Sequence, residues 1–299
     1  MNNSNILSHL ALLGATLCYG FNYNIAKDVM PDYIEPYGFI VVRIIGAGIL
    51  FWVLSLIVKE KVEKKDYPVL ILGGLFGVAI NQMMFFKGLN LTTPINASII
   101  MVSNPIIVLL VASIILKDKI TSRKLIGVVL GAIGAVMLIA YGKKVSIDAP
   151  NTRIGNLLVL VNATSYGIYL IIMKPLMQKY HPFTIVKWVF LFGFFFVIPF
   201  GYEEFKAINW NTMPFDIYWR VAYVVVFTSF LAYLLNIFAL KKLKPSTVSF
   251  YIYLQQVVTS IISISRGSDS LSALEIVSSL VIFYGVYLVS TKSKKLQNA

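Results

Sequence analysis

The chain has 299 residues, 58% hydrophobic and only 13% charged, with a mean hydropathy of +0.79. A soluble globule is nearer a quarter charged, so the composition excludes a water-soluble fold and points to a polytopic membrane protein. The net charge of +13 would suit nucleic acid, but the basic residues lie in short turns between apolar runs, so the partner they imply is the lipid bilayer.

Ten apolar stretches of about the length that crosses hydrocarbon as a helix can be read, at 6–26, 37–58, 68–88, 94–116, 124–141, 154–173, 183–202, 216–238, 246–264 and 271–291. Backbone groups left unpaired in lipid are costly, and these runs are too long for barrel strands, so an all-α fold is expected.

The first run follows the uncharged MNNSN and reads as a retained helix, because a cleaved signal carries a positive n-region. It holds Tyr19, Asn22 and Asn24, and Lys27 follows it. Its Cys18 is the single cysteine, so no intramolecular disulfide is possible. The second run opens after Pro36. Arg43 lies about 10 Å along it at the helical rise, and is expected to snorkel to the outer interface or pair with Glu35 or Asp32. The third carries Gly73, Gly74 and Gly77 at helix-packing spacing, then Asn81, Gln82 and Lys87. The fourth starts at Pro94 and holds Ser98, Ser103 and Asn104. Pro105 in its middle removes a helical hydrogen bond and should kink it. The fifth has Gly127, Gly131, Gly134 and Ala135 and little that is polar. With the tenth it is expected at the periphery, as a packing element or a homodimer contact.

The stretch YGKKVSIDAPNTR reads as a linker, dividing the chain into residues 1–150 and 151–299. The sixth run carries Asn162, Tyr166 and Tyr169 and is followed by Lys174. The seventh contains Pro199 and the eighth Tyr233 and Asn236. The ninth holds Tyr251, Tyr253, Gln255 and Gln256. Pro31, Pro36, Pro182, Pro214 and Pro245 stand at run boundaries, where a missing N–H does no harm.

The second half overlays the first. At an offset of 151, Leu89, Pro94, Ser98, Asp118 and Gly134 fall on Leu240, Pro245, Ser249, Asp269 and Gly285. At 147, Tyr19, Gly20 and Lys27 fall on Tyr166, Gly167 and Lys174. Two copies of a unit with five crossings enter the membrane from opposite sides, so the expected architecture is ten transmembrane helices as two inverted five-helix repeats. With the N-terminus inside, 17 Lys and Arg lie on the inner side, 8 on the outer and Arg43 within a span. That bias puts both termini in the cytoplasm, with Lys143, Lys144 and Arg153 as the exception. A bacterial-type plasma (inner) membrane is expected.

Every carboxylate sits in a turn or near a run end. A buried carboxylate is the usual ion relay and the usual partner of an organic cation, so its absence argues against cation export and carboxylate-coupled proton antiport. Only His9 and His181 offer imidazoles, and no metal-ligating or nucleophile–base cluster appears, so no catalytic residue, metal or cofactor is expected. What remains in mid-run is neutral and polar, and lipid-facing amides or phenols are costly, so these side chains should face the bundle interior. The overlay pairs Gln82 with Tyr233, Asn104 with Gln255, Pro105 with Gln256, Tyr19 with Tyr166, and Asn22 with Tyr169. The expected substrate-binding set is Tyr19, Asn22, Gln82, Ser98, Asn104, Tyr166, Tyr169, Tyr233, Asn236, Tyr251, Gln255 and Gln256, with Pro105, Arg43, Lys27 and Lys174 in gating or structural roles. The alternative for any one of these is ordinary interhelical hydrogen bonding.

The ten-run plan, Tyr19-Gly20 followed by Asn22 and Lys27, the Pro36 to Arg43 spacing and the paired tails PINASIIMVSNPIIVLLVASIILKDKIT and PSTVSFYIYLQQVVTSIISISRGSDSLS resemble the EamA-type transporters of the drug/metabolite transporter superfamily. The resemblance covers nearly the whole chain and implies an inner-membrane carrier of small molecules with a central cavity between two repeats, frequently working outward. The chain departs from that pattern in Tyr19, where the family often has Trp, in Gln256, where it usually has Pro, and in Asp118 and Asp269, where it commonly has Glu. The expected activity is secondary transport of small neutral or zwitterionic metabolites such as amino acids. Passive uniport, and carriage of anionic metabolites with Arg43, Lys27 and Lys87 as contacts, are the alternatives.

Overall fold

The computed structural model describes residues 3–115, 121–141, 149–243 and 245–290. Lys117, Asp118, Lys119, Lys143, Lys144, Asp148, Lys244, Lys292, Lys294 and Lys295 lie outside the described residues, as do the side chains of Ala135 and Ser249.

The described residues form helices, with no strand among them: α1 (Asn3–Val29), α2 (Pro36–Ser55), α3 (Lys64–Leu91), α4 (Pro94–Ile115), α5 (Ser122–Tyr141), α6 (Thr152–Lys179), α7 (Pro182–Lys206), α8 (Phe215–Lys242), α9 (Pro245–Phe250 and Ile252–Ser265) and α10 (Ala273–Ser290). Six of them, α2, α3, α4, α6, α7 and α8, are long and apolar enough to cross a membrane. Ile252–Ser265 and Ala273–Gly285 are shorter apolar helices. The chain is an all-helical polytopic membrane protein. Large apolar side chains such as Ile49, Val53, Phe195, Phe200, Ile261 and Leu280 are exposed on its outside, a surface that suits lipid tails and not water.

Local chemistry sets the helix ends. Pro36, Pro94 and Pro182 open α2, α4 and α7, where the absent N–H is an orphan in any case. Thr93 and Asn151 cap α4 and α6 by accepting from Asn96 N and Ile154 N. Ser272 and Glu275 form a reciprocal capping pair at the start of α10.

Helix α4 breaks at Val102 and Ser103, because Pro105 lacks the N–H that the Met101 carbonyl would accept. The Ser103 hydroxyl donates instead to the Ile100 carbonyl at 2.6 Å. Helix α9 also breaks, at Tyr251, although no proline stands near the break. Widened π-helical turns occur at Leu75–Ala79 in α3 and Val224–Leu231 in α8. An offset of 151 carries the first into the second.

The main packing pairs are α5 with α10, α2 with α7, α3 with α6, α3 with α7, α8 with α1, α4 with α6 and α9 with α1. Gly285 shows how closely α5 and α10 approach: a Cβ there would stand 2.6 Å from the Gly127 carbonyl oxygen and 2.8 Å from Gly131 N. Gly134 meets the Ser278 carbonyl oxygen at 2.9 Å in the same sense. The small-residue face of α5 is therefore occupied by α10 of the same chain.

Four cross-helix attachments fix directions. Lys27 Nζ, near the end of α1, donates to the carbonyls of Leu89, Asn90 and Thr92 at the end of α3, at 2.9, 3.0 and 3.0 Å. Lys174 Nζ donates likewise to Leu240 and to Leu243 at the end of α8, the latter at 2.7 Å. Each ammonium satisfies carbonyls that a helix end leaves without partners, on a neighbouring helix and not its own. Glu204 at the end of α7 accepts from Tyr37 N and Gly38 N at the start of α2, at 2.6 and 2.9 Å. Glu60, after α2, accepts from His181 N at the start of α7, at 2.9 Å.

Candidate functional site

A cavity opens among α1, α2, α3, α4, α6, α8 and α9, between helices, where small-molecule sites are commonly found. Among the described residues, none from α5, α7 or α10 lines its wall. From α1 come Thr16, Tyr19, Asn22 and Tyr23; from α2, Arg43; from α3, Asn81, Gln82, Phe85 and Phe86. Met101 of α4, Asn162 and Tyr166 of α6, Thr228, Tyr233 and Asn236 of α8, and Val248, Tyr251, Ile252 and Gln255 of α9 complete it. Among the described residues, no carboxylate lines this wall.

Tyr233 is its hub. Its hydroxyl accepts from Gln82 Nε2 at 3.3 Å and donates to the Gly77 carbonyl at 3.0 Å, with Asn81 Oδ1 3.4 Å away. Gly77 lies in the π turn of α3, where the carbonyl pattern is shifted from the ordinary ladder and a side-chain donor can reach it. Tyr19 stands edge-on to Tyr233, and its hydroxyl accepts from Asn236 Nδ2 at 3.2 Å. Gln255 Nε2 donates to the Tyr23 hydroxyl at 2.8 Å. Asn162 Nδ2 donates to the Asn81 carbonyl at 2.7 Å. His9 Nδ1 and the Tyr251 hydroxyl share a hydrogen bond of 2.8 Å. These bonds hold the polar wall in one arrangement and leave the buried oxygens Asn22 Oδ1, Gln82 Oε1 and Asn162 Oδ1 without partners.

Arg43 departs from expectation. It is only 2% exposed, and no ion pair to it occurs among the described residues, so it neither snorkels nor meets Glu35 or Asp32. Its Nε donates to Ser229 Oγ at 2.8 Å, and its guanidinium lies 4.1 Å from the centre of the Phe86 ring. The reason is angular: two turns into α2, the side chain leaves the helix toward the π turn of α8 and the wall of α3, away from the interface.

Of the sequence candidates, the fold brings Tyr19, Asn22, Gln82, Tyr166, Tyr233, Asn236, Tyr251 and Gln255 to the cavity, with Arg43 among them. Four others lie elsewhere. Ser98 donates to the Ile95 carbonyl of its own helix at 2.8 Å. Asn104 is pinned by the Ala163 carbonyl of α6 at 2.8 Å, because the break in α4 turns it toward that helix. Tyr169 packs against Gly77, whose added Cβ would meet the ring at 2.3 Å, so it fills the space glycine leaves. Gln256 bonds Ser260 Oγ one turn on, at 3.3 Å. A helix turns by about 100° per residue, so Gln255 and Gln256 cannot both face the same wall. Lys27 and Lys174 act on helix ends, and Pro105 lies at the break in α4.

Sequence reasoning did not single out Thr16, Tyr23, Phe85, Phe86, Met101, Thr228, Val248 and Ile252. Some were within reach: Thr16, Tyr19 and Tyr23 are spaced three and four apart, as are Phe85 and Phe86 from Gln82, so each group shares a helix face.

Ion pairs bind both ends of the bundle. At the end of α1, Asp28 is paired with Arg220 of α8 and with Arg266 after α9, the latter at 2.9 Å. At the opposite end, Lys179 of α6 bonds Glu63 and Asp66 at 2.7 and 2.6 Å, and the Tyr180 hydroxyl donates to Asp66 Oδ2 at 2.6 Å. Hydrogen bonds from Lys179 and then Lys65 hold the Glu63 carboxyl below the ordinary carboxylate range. His181, beside them, is pushed down by burial and by Lys241. Among the described residues, no three His, Cys, Asp or Glu side chains gather as metal ligands.

The model of the EamA-like transporter family matches the chain twice, at residues 6–140 and 153–291. An uncharacterized transporter of Bacillus subtilis, YyaM, is 26% identical over 94% of this chain and 93% of its own length. An uncharacterized transporter of Archaeoglobus fulgidus is 24% identical over 87% of this chain and 90% of its own. The WAT1-related protein At3g53210 of Arabidopsis thaliana is 22% identical, covering 91% and 79%. A solved crystal structure shares the fold with a TM-score of 0.65 at 15% identity, over 97% of this chain and 99% of that one. A multi-pass helical bundle with a polar cavity, matched along nearly its whole length by one family of membrane carriers, belongs to the EamA-like transporter family.

Proposed function

We propose that the chain is a secondary transporter of small neutral or zwitterionic metabolites, built as two inverted five-helix repeats, residues 1–150 and 151–299, and working by alternating access around the central cavity. The observation that carries this reading is the contact between Gln82 and Tyr233. These residues are 151 positions apart, the offset that overlays the second half on the first. A residue touches its own repeat mate only beside the symmetry axis, so the axis runs through the cavity. The reciprocal attachments support the same symmetry. Lys27 and Lys174 cap the ends of α3 and α8, Glu204 and Glu60 hold the starts of α2 and α7, and the family model matches once per half.

Each end of the bundle carries its own ion-pair group, an arrangement that suits a carrier whose two ends release in turn. The carboxylate-free wall favours neutral or zwitterionic cargo such as amino acids over organic cations. The basic residues favour an inner-membrane location with both termini cytoplasmic, and the family resemblance favours an outward direction of net transport. A homodimer, if formed, would use a surface other than the glycine face of α5.

The test is reconstitution in proteoliposomes with a panel of metabolites chosen by their power to raise Tm in detergent, since a ligand of the native state stabilises it by mass action. The reading expects accumulation of a stabilising solute against its gradient, abolished by an uncoupler. Movement only down the gradient would identify a passive uniporter and sink the secondary-transport reading.

A further inference from the structure

We propose that Arg43 is the receptor for a carboxylate of the transported solute, so that the cavity takes monocarboxylates with an apolar body, their zwitterionic amino-acid forms included. The inference rests on the transporter reading and deepens it by naming the anchoring group.

An arginine is charged at every physiological pH, and taking such a charge out of water without an anion carries a large free-energy cost. Arg43 is 2% exposed and lines the cavity. Its protein contacts are two neutral ones, the Ser229 hydroxyl at Nε and the face of Phe86. Nη1 has no partner, and no ion pair reaches the guanidinium among the described residues. A structural arginine in a membrane bundle ordinarily meets a carboxylate or a set of backbone carbonyls. Here neither is present, while Ser229 and Phe86 fix the plane of the group. A guanidinium so held matches the two oxygens of a carboxylate.

The remaining wall narrows the class. One unopposed positive charge accommodates one negative charge. A dianion would leave an uncompensated charge in a site with no other cation among its described residues, and an organic cation would be repelled. Phe85, Met101 and Ile252 offer apolar surface for the body of the solute. The unpartnered amide oxygens of Asn22 and Gln82 can accept from an ammonium group, which admits zwitterions without requiring them.

The experiment uses three probes that share the isopentyl body: leucine, 4-methylpentanoate and isopentylamine. Each is titrated against the purified full chain in detergent with Tm as readout, then assayed for uptake in proteoliposomes. The expected result is stabilisation by the two carboxylates and none by the amine. Arg43→Gln should weaken both carboxylates by about tenfold to a hundredfold, the factor a charge-assisted hydrogen bond carries, and Arg43→Lys should weaken them less. A purely structural arginine would lower the Tm of the free protein and leave the order of the probes unchanged. The wild-type series stands even if a variant fails to fold. Stabilisation by isopentylamine equal to that by the acids, no stabilisation by either acid, or an unaltered carboxylate response in Arg43→Gln overturns the receptor. Uptake of isopentylamine as fast as the acids overturns it too and leaves the transporter reading intact. Carboxylate binding without uptake does the reverse.

Discussion

Gln82 and Tyr233 meet side chain to side chain at 3.3 Å although 151 residues separate them. Each is the other's counterpart in the overlay of the two halves. The tyrosine hydroxyl also reaches the Gly77 carbonyl at 3.0 Å, so one phenol ties α8 to a widened turn of α3. A rocking motion of one half against the other would have to break or re-form this contact, which makes it the most informative place to perturb.

Tyr233→Phe removes the hydroxyl that accepts from the buried Gln82 amide and donates to the Gly77 carbonyl, a change of about 1–3 kcal/mol in stability. Uptake by Tyr233→Phe and by Gln82→Ala, normalised to the folded fraction in proteoliposomes, is expected to fall by about tenfold or more if those groups contact the solute in transit. Wild-type rates in both variants would remove the pair from the proposed site.

The two capping lysines predict a matched pair of stability effects. Lys27→Met frees three carbonyls at the end of α3, and Lys174→Met frees two at the end of α8. Each should lower stability by about 1–2 kcal/mol through lost charge-assisted bonds to a helix terminus, Lys27→Met more than Lys174→Met. Thermal unfolding of the detergent-solubilised protein checks both magnitude and order. If the lysines only anchored the interface, neither change would move Tm in detergent.

Glycine substitutions separate close packing from incidental composition. A Cβ on Gly285 would strike backbone atoms of α5 at 2.6 and 2.8 Å, whereas one on Gly48 meets nothing within 4 Å. Gly285→Ala should therefore destabilise by about 1–3 kcal/mol, the range for overpacking. Gly48→Ala should be neutral or slightly stabilising in its helix. Equal Tm values for the two variants would argue against the tight contact of α5 with α10.

The attachment of Lys179 to the segment before α3 carries a pH signature. The Glu63 carboxyl is held below its ordinary value of 4.5 by hydrogen bonds from Lys179 and Lys65. Its contribution is therefore present above that value and disappears as pH falls through the lowered one. Because the pair is solvent-exposed, the effect should be small and should shrink with salt. Tm measured from neutral to acid pH is expected to fall less steeply in Glu63→Gln than in the wild type. Identical slopes would show that the bond does not persist in solution.

The inventory of polar groups was legible in the sequence because lipid leaves so few places for them. Tyr19, Asn22, Gln82, Tyr166, Tyr233, Asn236, Tyr251 and Gln255 were all named from position within apolar runs, and the cavity gathers them. Ser98, Asn104, Tyr169 and Gln256 met the same criterion and do not line it. Position along a run does not give the rotation of the helix about its axis, and rotation decides which of two adjacent polar residues faces inward.

The sequence by itself determined the helical character, the run boundaries at Pro36, Pro94 and Pro182, and the correspondence between halves. Apolar length and the geometry of proline act locally and need no partner to express themselves. Only the tertiary structure decided that Arg43 turns to Ser229 and Phe86 rather than to a carboxylate, that Lys27 and Lys174 cap neighbouring helices, and that α9 breaks at Tyr251 without a proline. Each of those depends on which face of one helix meets which face of another, a matter of packing between segments dozens of residues apart that no local pattern encodes.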